Sequence, residues 1–367
     1  MDVTASVSGG ALGGLLEFRS QMLDPARNAL GRIGVALSEA VNAQHGAGMT
    51  LTGALGGDFF AVGDVQVRAH ASNAGTGSLS VQRIDGSAGA LTTADYVMTH
   101  TAGGWVLQRT DTGATVPMTG SGTAADPFVA DGLSIVVDGA APVGDSFQIR
   151  PTAGALAGLD MLITSPEDIA AAAPIVAAAG SGNTGTGAIS PGEVIDPANP
   201  ALRDPVTITF ISATQYTIDG DPTVHTYTPG ADIDVNGWRV QISGAPDPGD
   251  SFTVLDNSSG AGDNRNALKL ADVLNQPLVN GGTTSLNGAV GQFVGDIGVR
   301  TNQVQVSRDA QEVVYDESVE ALQSISGVNL DEEAANLVRY QQAYMAAAQM
   351  IRVADTLFQS VLEATRG

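Results

Sequence analysis

Gly132–Ile149 reads GLSIVVDGAAPVGDSFQI, and Gly237–Val254 reads GWRVQISGAPDPGDSFTV. The two stretches align without a gap. Gly132, Gly139, Gly144, Asp145, Ser146 and Phe147 fall on Gly237, Gly244, Gly249, Asp250, Ser251 and Phe252. Leu133, Ile135 and Val137 fall on Trp238, Val240 and Ile242, every second position and so all on one face. A period of two predicts strands with one buried face, and the Gly and Asp clusters between them predict turns. Two such copies predict an internal duplication of an antiparallel β unit.

The shared Gly-Asp-Ser also opens the nucleophile block of some esterases. A serine nucleophile needs a base, usually a histidine held by a carboxylate. The four histidines are His45, His70, His100 and His225, and Asn42, Val67, Val97 and Pro222 stand three residues before them. No Asp-x-x-His is formed and no histidine follows Ser251. Both serines begin alternating runs, so they read as strand starts after a Gly-Asp turn, and no catalytic residue is expected. DIDVNG, from Asp232 to Gly237, starts like a calcium-binding loop, but the twelfth position is Ser243 instead of an acid. The histidines show no metal-ligand spacing. The expectation is no enzyme activity, no metal and no cofactor.

Outward from these copies the pattern stays β from about Phe59 to Ala155 and again from Val206 to Gly260. Between them lies an Ala-rich stretch, 156–205, whose reading is a short helix capped at Ser165 followed by a Gly/Ser linker. The two ends have helical periodicity. Near the start, in the helical segment spanning 1–58, Leu23, Ala26, Leu30, Ile33, Leu37, Ala40 and Gln44 step by three and four. This is a seam of coiled-coil type, with Asp24 and Pro25 as its start signal. The period returns over 261–328. Over 329–367 the chain forms one long expected helix, capped by Asn329, with its seam at Ala334, Leu337, Gln341, Tyr344, Ala348, Ile351, Phe358 and Leu362. Such a helix cannot bury its apolar stripe on itself, so it needs partner helices. The expected fold is multidomain α+β: long terminal helices in a bundle or coiled coil, bracketing antiparallel β domains.

Composition narrows the partners. The 367 residues carry a net charge of −23, and Lys269 is the sole lysine. A nucleic acid or an anionic membrane surface would repel such a chain. There is no cysteine, so disulfides and thiolate sites are excluded. No apolar run is long enough to span a bilayer, and MDVTASVSGG lacks the features of a Sec signal peptide.

The final stretch, SGVNLDEEAANLVRYQQAYMAAAQMIRVADTLFQSVLE from Ser326, resembles the C-terminal signature of bacterial flagellar axial proteins. Three further stretches resemble the hook-associated proteins of the hook–filament junction. They are GGALGGLLEFRSQMLDPARNALGRIGVALSEAVNAQHGAG (Gly9–Gly48), GDSFQIRPT with SPEDIAAAAP, and GDNRNAL (Gly262–Leu268). The resemblance implies a structural, non-catalytic component of the flagellum. It also implies a homo-oligomeric ring that contacts the hook protein and a second junction protein on the filament side. Export would be extracellular, through the flagellar type III channel, with a cytosolic export chaperone holding the C-terminal helix. Leu337, Tyr344, Ala348, Ile351, Phe358 and Leu362 are the expected assembly and chaperone-binding positions, and Leu23, Leu30, Ile33 and Leu37 the inner seam. The family has a long helical region before the block that begins at Gly9, so the sequence reads as a C-terminal portion. The competing reading is a secreted acidic β-domain adhesin on a helical stalk.

Overall fold

A computed structural model describes residues 10–258, 260–326 and 330–366. The chain divides into two units, one ending at Ile297 and one running from Gly298 to the C-terminus.

The first unit opens with a helical run. Helix α1 spans Gly10–Phe18 and α2 spans Asp24–Gly46, joined by a π turn at Arg19–Leu23. Pro25 therefore does not start the helix as the sequence predicts. It lies inside a continuous run, with Leu23 itself in the α-helical region. Proline has no N–H and crowds the carbonyl four residues back, and a π turn relieves both. The Asp24 N–H donates to the Arg19 carbonyl, five residues back, as a π turn requires.

Two β domains follow. The first contains β1 (Gln66–Ala69), β2 (Ser78–Arg83), β3 (Tyr96–Thr101), β4 (Gly104–Arg109), β5 (Thr115–Val116), β6 (Phe128–Ala130), β7 (Leu133–Asp138) and β8 (Ser146–Arg150). They form an antiparallel sheet in the order β1-β8-β3-β4-β5 and a second in the order β2-β7-β6. The second domain contains β9 (Ile175–Ala179), β10 (Ala188–Ile189), β11 (Glu193–Val194), β12 (Val206–Ser212), β13 (Gln215–Ile218), β14 (Asp221–Thr226), β15 (Asp232–Val235), β16 (Trp238–Ser243) and β17 (Ser251–Asp256). Its large sheet runs β9-β17-β12-β13-β14, and β16 pairs with β10, β11 and β15. Apart from the short β11, strand for strand this is the order of the first domain. In both, a two-residue hairpin leads into the quoted stretch. Asp131–Gly132 and Asn236–Gly237 have φ of 46° and 77°, and 48° and 82°. Positive φ at both central positions is the twist-matched type I′ turn.

The alternating residues face inward as their period demands. Leu133, Ile135, Phe147 and Ile149 are buried in one core, and Trp238, Val240, Ile242, Phe252 and Val254 in the other. Each such side chain contributes about 1.5–3 kcal/mol by burial.

The Ala-rich stretch departs from its expected structure. Pro166–Asp168 make a single 3₁₀ turn with no side-chain cap from Ser165. The following residues include strand β9, with Ala177 opposite Val254. Alanine favours helix in isolation, but Pro174 interrupts any helix here and the open edge of β17 takes the chain as a strand. The second β domain thus begins at Ile175, and residues 156–205 are not a helix plus linker.

Helix α3 (Arg265–Asp272) leaves the second domain, and a short hairpin pairs Pro277–Val279 with Thr284–Ser285. Helix α4 spans Leu286–Ser326, and its Leu286 and Ala289 are buried in the first core. In the second unit, α5 spans Leu330–Ala364. Its 35 residues give a length of about 52 Å. The expected cap Asn329 lies outside the described residues.

Candidate assembly surface

Helix α5 has no buried residue among those described. Leu337, Tyr344, Ile351, Phe358 and Leu362 are 61%, 77%, 66%, 64% and 47% exposed. Ala348, between them, is half-buried. A second row also steps by three and four: Tyr340, Ala343, Ala347, Met350, Ala354, Leu357 and Val361. Its large members are equally exposed, and no polar residue interrupts it, whereas Gln341 and Asp355 interrupt the first. The apolar surface of α5 is therefore wider than one seam. Acidic Asp331, Glu332 and Glu333 occupy its first turn, where the helix dipole favours negative charge.

The inner seam divides. Ile33 is buried and Leu37 packs partly against the first core, but Leu23 and Leu30 are exposed. The coiled-coil reading places all four on one buried line. The stripe that α2 does bury is mostly polar and small, with Asn28, Gly31, Val35, Ser38 and His45 and Asn42 alongside. Gly31 is needed because a Cβ there would sit 2.0 Å from the Thr152 carbonyl oxygen. Asn42 accepts from the Phe59 and Phe60 N–H groups through Oδ1, each at 2.9 Å, and donates to the Phe60 carbonyl at 2.8 Å. Arg150 donates to Asp95 at 2.9 Å and to Asp24 at 3.1 Å, while Asn28 donates to Asp95 at 2.9 Å. Burial holds the Asp95 carboxyl above its ordinary range, although Arg150 and Asn28 pull it down. Helix α2 is thus fastened by hydrogen bonds on one side. Leu23 and Leu30 remain uncovered and continue an exposed line from Leu12, Leu15 and Phe18. The five-residue step from Phe18 to Leu23 crosses the π turn, which keeps both on the same side.

The Gly-Asp-Ser blocks are structural brackets. Asn73 accepts from the Ser146 N–H at 3.0 Å and donates to the Ser146 carbonyl at 2.9 Å. Asn183 does the same to Ser251, at 2.8 and 2.9 Å. The Asp145 carboxylate accepts from the N–H groups of Ala74 and Gly75, and Asp250 from those of Thr184 and Gly185. A repeated Asn-x-Gly-Thr-Gly, Asn73–Gly77 and Asn183–Gly187, is the sequence signal for this pairing. The ring of His70, just past the end of β1, bonds to Ser72.

The acids of the Asp232–Gly237 stretch are spoken for. Arg239 pairs with Asp234 at 2.7 Å and with Asp232 at 3.0 Å. No cluster of potential metal ligands occurs among the described residues, and no described helix is long and apolar enough to cross a membrane.

Comparison with known proteins places these features together. A family profile described as the flagellar hook-associated protein FlgK helical domain matches residues 1–60. One described as the D2-like domain of flagellar hook-associated protein 1 matches residues 68–151. The C-terminal profile of flagellar basal body rod FlgEFG proteins matches residues 321–364. Flagellar hook-associated protein 1 of Escherichia coli K12 is 30% identical over 353 residues, which is 96% of this chain and 49% of that protein. The same protein of Salmonella typhimurium LT2 is 31% identical with the same coverage. The flagellar hook junction protein FlgK of Burkholderia pseudomallei is similar in structure, with a TM-score of 0.76 and 34% identity, over 88% of this chain and 64% of that one. The chain spans about half the length of the curated relatives it matches.

Proposed function

Since the chain is similar to flagellar hook-associated protein 1 over nearly its whole length, we propose that it is a member of that family and a structural subunit of the hook–filament junction that assembles through its terminal helices. The observation that carries this reading is α5, 35 residues long with no buried residue among those described. Removing its large apolar side chains from water would contribute about 1.5–3 kcal/mol each, a gain available only on association. Leu337, Tyr344, Ala348, Ile351, Phe358 and Leu362 form one contact row, and Leu23 and Leu30 extend a second row on α1 and α2. Partners are further copies in a ring, the hook protein on one side and a second junction protein on the other. A cytosolic export chaperone covers α5 before type III export, and the acidic β domains face the medium outside the cell. The role is mechanical, with no catalysis. The adhesin alternative has no support among the relatives.

The test is a triple substitution, Leu337→Asp, Ile351→Asp and Phe358→Asp, examined by sedimentation across a concentration series. The unsubstituted chain is expected to form higher-order species as concentration rises, and the variant to stay monomeric with unchanged β-domain melting. Equal assembly of both chains would refute the contact row. Unaltered chaperone affinity after deletion of α5 would refute the chaperone assignment.

A further inference from the structure

Three of the stretches that carry the family resemblance meet at one point in the first unit. They are the end of α2 at His45, the segment Ala170–Ala172, and the start of α3 at Asn266. His45 is fully buried. Its Nε2 accepts from the Ala170 N–H at 2.9 Å, so Nδ1 carries the proton and donates to the Gly57 carbonyl at 2.7 Å. Asn266 is buried too. Its amide donates to the Ala170 carbonyl at 2.6 Å and to the Gln44 carbonyl at 3.1 Å, and its Oδ1 accepts from the Gln44 amide at 2.6 Å. Both backbone groups of Ala170 are thereby held, one from α2 and one from α3.

The neighbourhood is closed around this point. A Cβ on Gly48 would lie 2.0 Å from the Asn266 amide, and one on Gly56 would lie 2.1 Å from the His45 carbonyl. The chain enters the second β domain just beyond Ala172 and leaves it just before Asn266. The same exits are cross-tied. Asn257 donates to the Ala173 carbonyl at 2.8 Å, and Arg265 reaches the carbonyls of Ile175 and Pro191 at 2.6 and 2.8 Å. Arg203 joins Asp256 to the Gly53 carbonyl.

We propose that His45 and Asn266 form a lock that fixes the second β domain to α2, so that α2 and both β domains turn as one body. Linkers between β domains ordinarily permit relative motion unless a large apolar interface prevents it. Here the constraint is polar and concentrated in a few hydrogen bonds, each of which would be costly to leave unmade in a buried site. His45 and Asn266 are positioning residues: they hold the domain without touching a ligand. The lock does not depend on the assembly role, because it lies wholly within one chain.

The absence of cysteine makes the test direct. Cysteines introduced at exposed Asp111 and Val224, in the full chain, would carry spin labels for a distance measurement between the β domains. Ser78 with Asp111 gives a control pair within the first domain, and Val224 with Pro248 one within the second. The parent chain is expected to give one narrow distance distribution. Asn266→Asp puts an oxygen where two donated hydrogen bonds were, and the interdomain distribution is expected to broaden at least twofold while both control pairs stay unchanged. An interdomain distribution as narrow in Asn266→Asp as in the parent, or one already broad in the parent, overturns the lock. If Asn266→Asp disturbs a control pair, Gln44→Ala decides. It removes one partner of Asn266 and leaves the cores intact, and it should broaden the interdomain distribution and speed hydrogen exchange at the Ala170 amide. No change in either overturns the proposal.

Discussion

At the residue scale the most consequential side chains are asparagines and aspartates that hold backbone. Asn73 and Asn183 each satisfy one N–H and one carbonyl of the serine that starts β8 or β17. Asn73→Ala leaves both groups in a half-buried site, and the expected loss is about 1–3 kcal/mol in urea unfolding; Asn183→Ala should cost a similar amount in the second domain. A loss below a few tenths would mean water replaces the amide freely. Asp250 offers a pH test. Backbone N–H groups of Asp247, Thr184 and Gly185 hold its carboxyl below the ordinary carboxylate range. A depressed folded-state value means the stabilisation is present above the unfolded value, near 3.9, and is lost as pH falls through the folded one. Asp250→Asn removes that titration. The difference in melting temperature between pH 7 and pH 3 should therefore be smaller in Asp250→Asn than in the parent; an equal difference would assign the acid sensitivity elsewhere.

At the scale of elements, the strands are legible in the sequence and several boundaries are not. Alternation alone places Leu133, Ile135, Trp238, Val240 and Ile242 on inner faces, because a half-buried strand has one period and one polarity. Ile175–Ala179 is opaque for the opposite reason: a run of isoleucine, valine and alanine carries no alternation, and only the edge of β17 makes it a strand. The buried stripe of α2 is hidden because it is built largely of Asn, Gly, Ser and His, which hydropathy scores as surface. Pro25 reads as a helix start because that is where proline is most at home. Its actual effect gives a prediction. Pro25→Ala restores an N–H and removes the clash with the preceding turn, so the π turn at Arg19–Leu23 should relax to α-helix with a gain of about 1 kcal/mol. Amide-to-carbonyl couplings that still report five-residue spacing in the variant would show that the Asp24–Arg150 contact, and not proline, imposes the π turn.

At the scale of the whole molecule, the buried apolar residues and the exposed apolar rows of α5 lie on different elements. The two cores account for the buried apolar side chains of the β domains, and α4 enters the first of them only through its opening turns, with Leu286 and Ala289. From Gly298 onward the described residues of α4 are exposed, apart from half-buried Val319. Its polar face is continuous there, with Asp309, Glu312, Asp316 and Glu320 following one another at helical spacing. Helix α5 adds no buried residue. The conformational entropy of ordering each helical residue, roughly 1–2 kcal/mol for its backbone, is therefore not offset by burial within the chain. A chain truncated after Ile297 should keep the main calorimetric transition within about 2 °C of the full-length value, since each kcal/mol of lost stability lowers the midpoint by only about 1–2 °C in a protein of this size. It should also lose the concentration-dependent sedimentation expected of the full chain. A main transition lowered by more than about 5 °C would mean that the C-terminal helices stabilise the β domains directly. Retained association would mean that the exposed line from Leu12 to Leu30 suffices for assembly, and that the width of the apolar surface on α5 serves a different contact.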